Sequence, residues 1–259
     1  MPAINTRSQE WYGWLPDLPD HRDLMYSVVK PALPSLPTKV DLRSKCSPIE
    51  NQLSLGSCTA NALAGALEFL ELKDGAQFVD LSRLFIYYNE RVIEGTVKQD
   101  SGAFIRDGIK SLAKQGVCPE KEWPYKVTKF KTKPTPKCYS DAKKHQIISY
   151  HRLSTLDDMR TCLADGFPFV FGFTVYEAFE SQAVAKSGVL NMPGADEKVQ
   201  GGHAVMAAGY DDSQKRFIIR NSWDTDWGMK GYFTMPYDYL DPNKNLADDF
   251  WTIRASEEG

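Results

Sequence analysis

Four residues far apart in the chain carry side chains that, brought together, can run acyl-transfer chemistry: Gln52, Cys58, His203 and Asn221. Cys58 stands where a loop containing Ser54, Gly56 and Ser57 meets a run that is apolar at Ala60, Leu63, Ala64, Leu67 and Leu70, the spacing of a helix. Ser57 is placed as an N-cap, which puts the thiol in the first helical turn. The unpaired amides and the dipole there favour negative charge, so the thiol loses its proton more readily, and the thiolate is the nucleophile. As a set, His203 takes that proton and Asn221 orients the imidazole through its side-chain oxygen. Gln52 joins the Cys58 backbone N–H in donating to a developing oxyanion. Taken singly, each has a plainer reading: a core thiol, a core or capping histidine, a turn-forming asparagine, a polar loop glutamine.

The elements that must position these groups change character along the chain. Residues 58–72, 81–91 and 101–115 have helical periodicity, with Gly116 as the stop of the third. Residues 118–137 form a long connection rich in Pro and Lys, read as a solvated loop. Strand patterns follow at 147–153, 167–175, 202–210, 216–220, 231–235 and 250–253. Ser154 is read as the cap of a short helix at 155–164, and Asp211, Asp212 and Ser213 as a hairpin turn. A helical half before an antiparallel β half is the α+β pattern, two lobes with a cleft between them. Residues 1–39 differ from both. They hold six prolines together with Trp11, Tyr12 and Trp14, so the segment is expected to run extended and non-helical, with some of it docked.

Composition narrows the function. The chain has 259 residues, with 42% hydrophobic and 25% charged residues, ordinary for a globular protein with a full core. A net charge of −3 supplies no basic field for nucleic acid or anionic lipid. No run approaches the roughly 20 apolar residues of a membrane helix. The first residues lack the apolar centre of a signal peptide, so the chain is expected to be cytosolic, or exported without a leader visible here. Five cysteines is an odd number, as expected with one reactive thiol. Cys46, Cys118, Cys138 and Cys162 have no metal-ligand spacing, and no metal or organic cofactor is implied.

The motifs around the four residues resemble those of the papain-like cysteine peptidases. Gln52, five residues and Cys58 match that family's nucleophile motif. The 145 residues from Cys58 to His203 fall in the family's interval of about 130–150. The strand HAVMAAGY and the block Asn221, Ser222, Trp223, Trp227, Gly228, Gly231 and Tyr232 are similar to its C-terminal signature, and Gly116-Val117 with Glu122-Trp123-Pro124-Tyr125 to its inter-lobe connection. The resemblance covers about residues 40–253. It implies an α+β fold with a helical left lobe at about 50–130. The right lobe, an antiparallel β-barrel, takes about 131–259 with residues near 40–49. It also implies a cysteine endopeptidase that hydrolyses peptide bonds through an acyl-enzyme, with protein or peptide substrates. Gly102, Ala103, Phe104, Gly202 and Trp223 would contact substrate, in a pocket suited to a bulky apolar or aromatic side chain. Two other classes share these residues: an inactive papain-fold module that binds peptides, and an acyl transferase passing the acyl group to an amine.

The sequence also departs from the pattern. Thr59 replaces the usual Trp, Leu55 replaces a cysteine that pairs in many members, and Gln99-Asp100-Ser101-Gly102-Ala103 replaces the usual Gly-Cys-x-Gly-Gly loop. Two common disulfides are therefore missing, while Cys118 and Cys138 are free to pair or to remain thiols. These losses suggest a divergent, bacterial branch. Members of the family commonly carry an inhibitory N-terminal segment over the cleft, as in a zymogen. The arm 1–39 is the counterpart expected here, displaceable by acid, by a partner or by cutting, with the alternative that it packs on the back of a lobe.

Overall fold

The computed structural model of the chain describes residues 12–30 and 35–255; Pro2, Trp11, Pro31, Pro34 and residues 256–259, which entered the reading above, lie outside them. Helix Cys58–Lys73 is the centre of the molecule. Every residue from Cys58 to Leu70 is buried, because helices Arg83–Glu94 and Ile105–Gln115 pack on one side and the strand Val199–Asp211 on another. A helix that is apolar around most of its circumference needs such enclosure, and this one therefore sits between a helical lobe and a β lobe.

The third helix starts later than its periodicity predicts. Gly102 has φ +74, a left-handed conformation that interrupts a helix, and Ala103–Phe104 is a short strand. Helix Ile105–Gln115 follows, and Gly116 ends it as expected, its N–H bonding Leu112 O. The β lobe is a seven-stranded sheet. Its hydrogen-bonded path runs Ser149–Arg152, Ala247–Arg254, Phe169–Tyr176, Val199–Asp211, Arg216–Arg220 and Tyr232–Pro236, with Lys39–Asp41 paired to Val199–Asp211 off this path. All of these pairs are antiparallel. The chain is thus a two-lobed α+β fold of the papain type.

Three local expectations are corrected. The cap of helix Leu156–Ala164 is Thr155, whose side chain closes a capping box with Asp158, not Ser154. The connection at 118–137 is not all loop: Thr135 caps a helix, Pro136–Ala142, that begins on a proline, a residue tolerated only in a helix's first turn. The arm also contains one helical turn, Tyr26–Val29, which fits between Pro19 and Pro31 because no proline falls inside it. Tyr26 there is buried and its hydroxyl donates to Asp165 at 3.0 Å, while Met25 bridges Arg152 in the β lobe. Upstream, Trp14–Leu15 pairs in parallel with Ala103–Phe104. The arm therefore occupies two places, one between Ala103–Phe104 and the strands of the β lobe, and one along the β lobe alone. All five cysteines are thiols, with Cys118 and Cys138 adjacent enough to share a hydrogen bond.

Candidate active site

Cys58 is the first residue of its helix and fully buried. Ser57 occupies the N-cap position without capping: its hydroxyl pairs with the Tyr125 hydroxyl at 2.5 Å and accepts from Asn61 Nδ2 at 3.1 Å. The expected ease of ionisation is reversed in this state. Removal from water pushes the Cys58 thiol up to about 11, against the opposing pull of hydrogen bonds from the backbone of Ala204, Gly13 and Thr59. The amides at the helix start are present, as anticipated, but they do not offset desolvation while the site is covered.

His203 and Asn221 are brought together by two neighbouring strands. His203 lies in Val199–Asp211, and Asn221 directly follows Arg216–Arg220, which pairs with it. His203 Nε2 meets Asn221 Oδ1 at 2.9 Å, and that oxygen also accepts the Ser222 N–H at 2.9 Å. The pair is sealed by rings. Trp223 lies 4.9 Å from the imidazole at an interplanar angle of 33°, with Phe173 and Phe179 close by. Trp223, named from sequence as a substrate contact, packs on the histidine in this state. Gln52 is fully buried and held to the same strand end: its N–H donates to Ser222 O at 2.9 Å and its Oε1 accepts the Ser222 hydroxyl at 2.7 Å. Its Nε2 donates to Leu55 O at 3.0 Å.

The arm crosses this centre. Gly13 threads between Gly56 and Gly102, donating its N–H to the Cys58 sulfur while its carbonyl accepts the Ala103 N–H at 2.7 Å. A Cβ on Gly13 would stand 1.7 Å from Gly56 O, so only glycine fits. Tyr12 lies edge-on to the His203 ring, centroids 5.8 Å apart. Trp14 is buried in a slot walled by Gly172 and Gly202, whose hypothetical Cβ atoms would meet its ring at 1.9 and 2.8 Å. Gly102, Ala103 and Gly202, named from sequence, all touch the arm here, and Phe104 pairs in register with Leu15.

The slot ends in residues that the sequence reading missed. Trp14 Nε1 donates to Asp249 Oδ2 at 3.0 Å, and the Asp17 N–H donates to the same oxygen at 2.8 Å. Asp17 in turn accepts Trp251 Nε1 at 3.1 Å and the Arg106 N–H at 3.3 Å. A signal existed for Gly172, since a lone glycine inside a β-prone run marks a close approach. None existed for Asp249, which looks like an ordinary polar residue at a strand's edge.

A helical lobe and an antiparallel lobe meeting at a buried cysteine, with a histidine on the facing strand and an asparagine just past its neighbour, define the architecture of a thiol peptidase. Comparison with known proteins agrees. The family model described as papain family cysteine protease matches residues 36–245. A peptidase C1-like protein of Acanthamoeba polyphaga mimivirus is 41% identical over 94% of this chain and 86% of its own length. The crystal structure of xylellain, a cysteine protease from Xylella fastidiosa, superposes with a TM-score of 0.89 at 45% identity, covering 97% of this chain and 98% of that one. Bromelain from Ananas comosus shares the fold, with a TM-score of 0.66 and 24% identity over 85% of this chain and all of its own. The chain belongs to the papain family of cysteine proteases, and is accordingly a hydrolase.

Proposed function

We propose that the chain is a cysteine endopeptidase of a divergent, bacterial branch of the family, held in a capped state by its own N-terminal residues. In this reading the arm extends to about residue 39 and the two lobes follow. With the arm displaced, His203 takes the Cys58 proton through Nδ1, since Nε2 faces Asn221. The sulfur attacks the substrate carbonyl carbon, a C–S bond forms, and the oxygen takes the electron pair, facing the Cys58 N–H and the Gln52 amide. Collapse breaks the C–N bond and the imidazolium returns its proton to the leaving amine. Water then attacks the thioester and gives a proton to His203. The C–S bond breaks, the acid leaves, and Cys58 is restored.

The observation that carries the reading is the 2.9 Å pairing of His203 Nε2 with Asn221 Oδ1 beside a cysteine at a helix start. The arm lies as an inhibitor, not as a substrate. It presents an N–H to the sulfur, and the Gly13 carbonyl is turned to Ala103. At the cleft Trp14 is the large buried anchor: burying one indole removes about 200 Å² from water, about 5 kcal/mol at most, from which the ordering of the arm subtracts.

The test is to incubate the full chain, Gly13→Ala and Cys58→Ala with a peptide library and read products by mass spectrometry. Gly13→Ala is expected to cut faster than wild type and to lose activity to a thiol alkylator, while Cys58→Ala stays folded and inert. Cleavage by Cys58→Ala would sink the reading, and acyl exchange onto an added amine without hydrolysis would replace it with the transferase.

A further inference from the structure

The slot through which the arm passes has two backbone walls, Gly56 on the cysteine's loop and Gly102 on the opposite loop. They approach so closely that a Cβ on Gly56 would lie 3.6 Å from Gly102 N and 3.4 Å from Gly13 Cα. Glycine walls have no side chains with which to hold one another. What joins them is Asp100. Its carboxylate accepts the Gly56 N–H on both oxygens, at 3.1 and 3.2 Å. The Tyr87 hydroxyl donates to the same carboxylate and accepts the Gly102 N–H at 3.2 Å. Tyr87 is fully buried in helix Arg83–Glu94 and is itself braced. The guanidinium of buried Arg91 stacks 3.9 Å from its ring centroid, and donates to Val97 O at 3.1 Å and Gln99 O at 2.9 Å. Loop 97–102 is thus fixed to a core helix, and through Asp100 it grips the backbone two residues before Cys58.

We propose that Asp100 is a positioning residue, a strut that sets the distance between the Cys58 loop and the Gly102 loop and so holds both the nucleophile and the backbone of whatever occupies the slot. This rests on the peptidase reading above. With all five cysteines as thiols, the two loops that wall the slot on the helical lobe are joined here by hydrogen bonds, which a reducing medium does not break. Asp100 touches neither the sulfur nor the substrate; it acts through Gly56 and, by way of Tyr87, through Gly102.

The experiment uses the full chain with Gly13→Ala, so that the slot is vacated without truncation, and adds Asp100→Ala, Asp100→Asn or Tyr87→Phe. Three quantities are measured: kcat and KM on a fluorogenic peptide, the rate of Cys58 alkylation, and thermal stability. Asp100→Ala should lower kcat and raise KM together, for a combined loss of about tenfold in kcat/KM, the scale of one hydrogen bond to a charged group. Cys58 alkylation should slow in parallel. Asp100→Asn keeps an oxygen for the Gly56 N–H and should recover most of kcat but less of KM, because the Tyr87 contact weakens. Tyr87→Phe, which removes a single hydroxyl, should raise KM more than it lowers kcat, and serves if Asp100→Ala does not fold. A change in melting temperature, with kcat, KM and alkylation all within twofold of the Gly13→Ala background, would overturn the assignment whatever that background's turnover. A Gly13→Ala chain that alkylates at Cys58 but hydrolyses nothing would count against the peptidase reading alone, and the alkylation rates would still decide the strut.

Discussion

Gln52 and Asn221 both have side chains bonded to the segment after strand Arg216–Arg220, yet they do different work. Asn221 Oδ1 holds the imidazole at 2.9 Å, whereas the Gln52 side chain is anchored on Ser222 and Leu55. On the proposed mechanism, Gln52→Ala removes one oxyanion donor and should lower kcat about 10²–10³-fold. It should leave alkylation of Cys58 nearly unchanged, since that reaction builds no oxyanion. Asn221→Ala frees the imidazole to turn and should slow hydrolysis and alkylation alike. Both measurements belong in the Gly13→Ala chain, where the thiol is uncovered. Equal effects of the two substitutions on alkylation would refute the division of roles. Loss of Gln52 also leaves the Ser222 hydroxyl without its acceptor, worth about 1 kcal/mol of stability.

Among the elements, the contact between arm and β lobe turns on two buried carboxylates. Burial, then the neighbouring Asp17 charge, raises Asp249 to about 7, and burial raises Asp17 as well. The groups facing them are Arg152, 3.2 Å from Asp249 Oδ1, Arg106, which pairs with Asp23 at 2.7 Å, Asp248, and the indole N–H groups of Trp14 and Trp251. The docked Asp249 thus holds a proton that a solvated carboxyl near 3.8 has released. A group raised in the bound state favours that state in acid, and the advantage fades as pH climbs from about 4 to about 7. Acid is therefore expected to hold the arm, where the sequence reading has acid displace it. The ratio of Cys58 alkylation rates in wild type and Gly13→Ala reports how far the arm is released, since only the uncovered thiol reacts. That ratio should rise across this range and level off above it, and Asp249→Asn should flatten it. A ratio that falls with pH would refute the sign.

For the molecule as a whole, the two placements of the arm separate inhibition from stability. Deleting residues 1–20 removes Tyr12, Trp14 and Asp17 but spares Tyr26, so it should raise kcat/KM and lower the melting temperature by less than the longer deletion does. Deleting residues 1–30 also removes Tyr26, which is 1% exposed, and Asp23, which pairs with Arg106 and Arg152. Losing a buried aromatic of that size costs about 3–5 kcal/mol, or roughly 10 °C in a chain of this length. An equal loss of stability from both deletions would mean that the cleft segment is itself structural. Since all five cysteines are thiols, the melting temperature should also be the same with and without a reductant.

The sequence by itself determined the two lobes, the helix that begins at Cys58, the strands that carry His203 and Asn221, and the family. Those features are written in local periodicity and in motifs whose residues sit at fixed offsets. It also marked residues 1–39 as a docking arm, from three aromatics amid prolines. Only the tertiary structure decided where that arm lies and what it does to the thiol. The pocket for Trp14 is assembled from Gly172, Gly202 and Asp249, on three different strands, and no spacing in the chain encodes their meeting. Nor could the pattern around Cys58 reveal that its thiol is pushed up to about 11. A helix start favours the thiolate through neighbouring residues, while desolvation comes from a segment some 45 residues upstream. In the covered state burial is the larger effect, because water is excluded from every side of the sulfur.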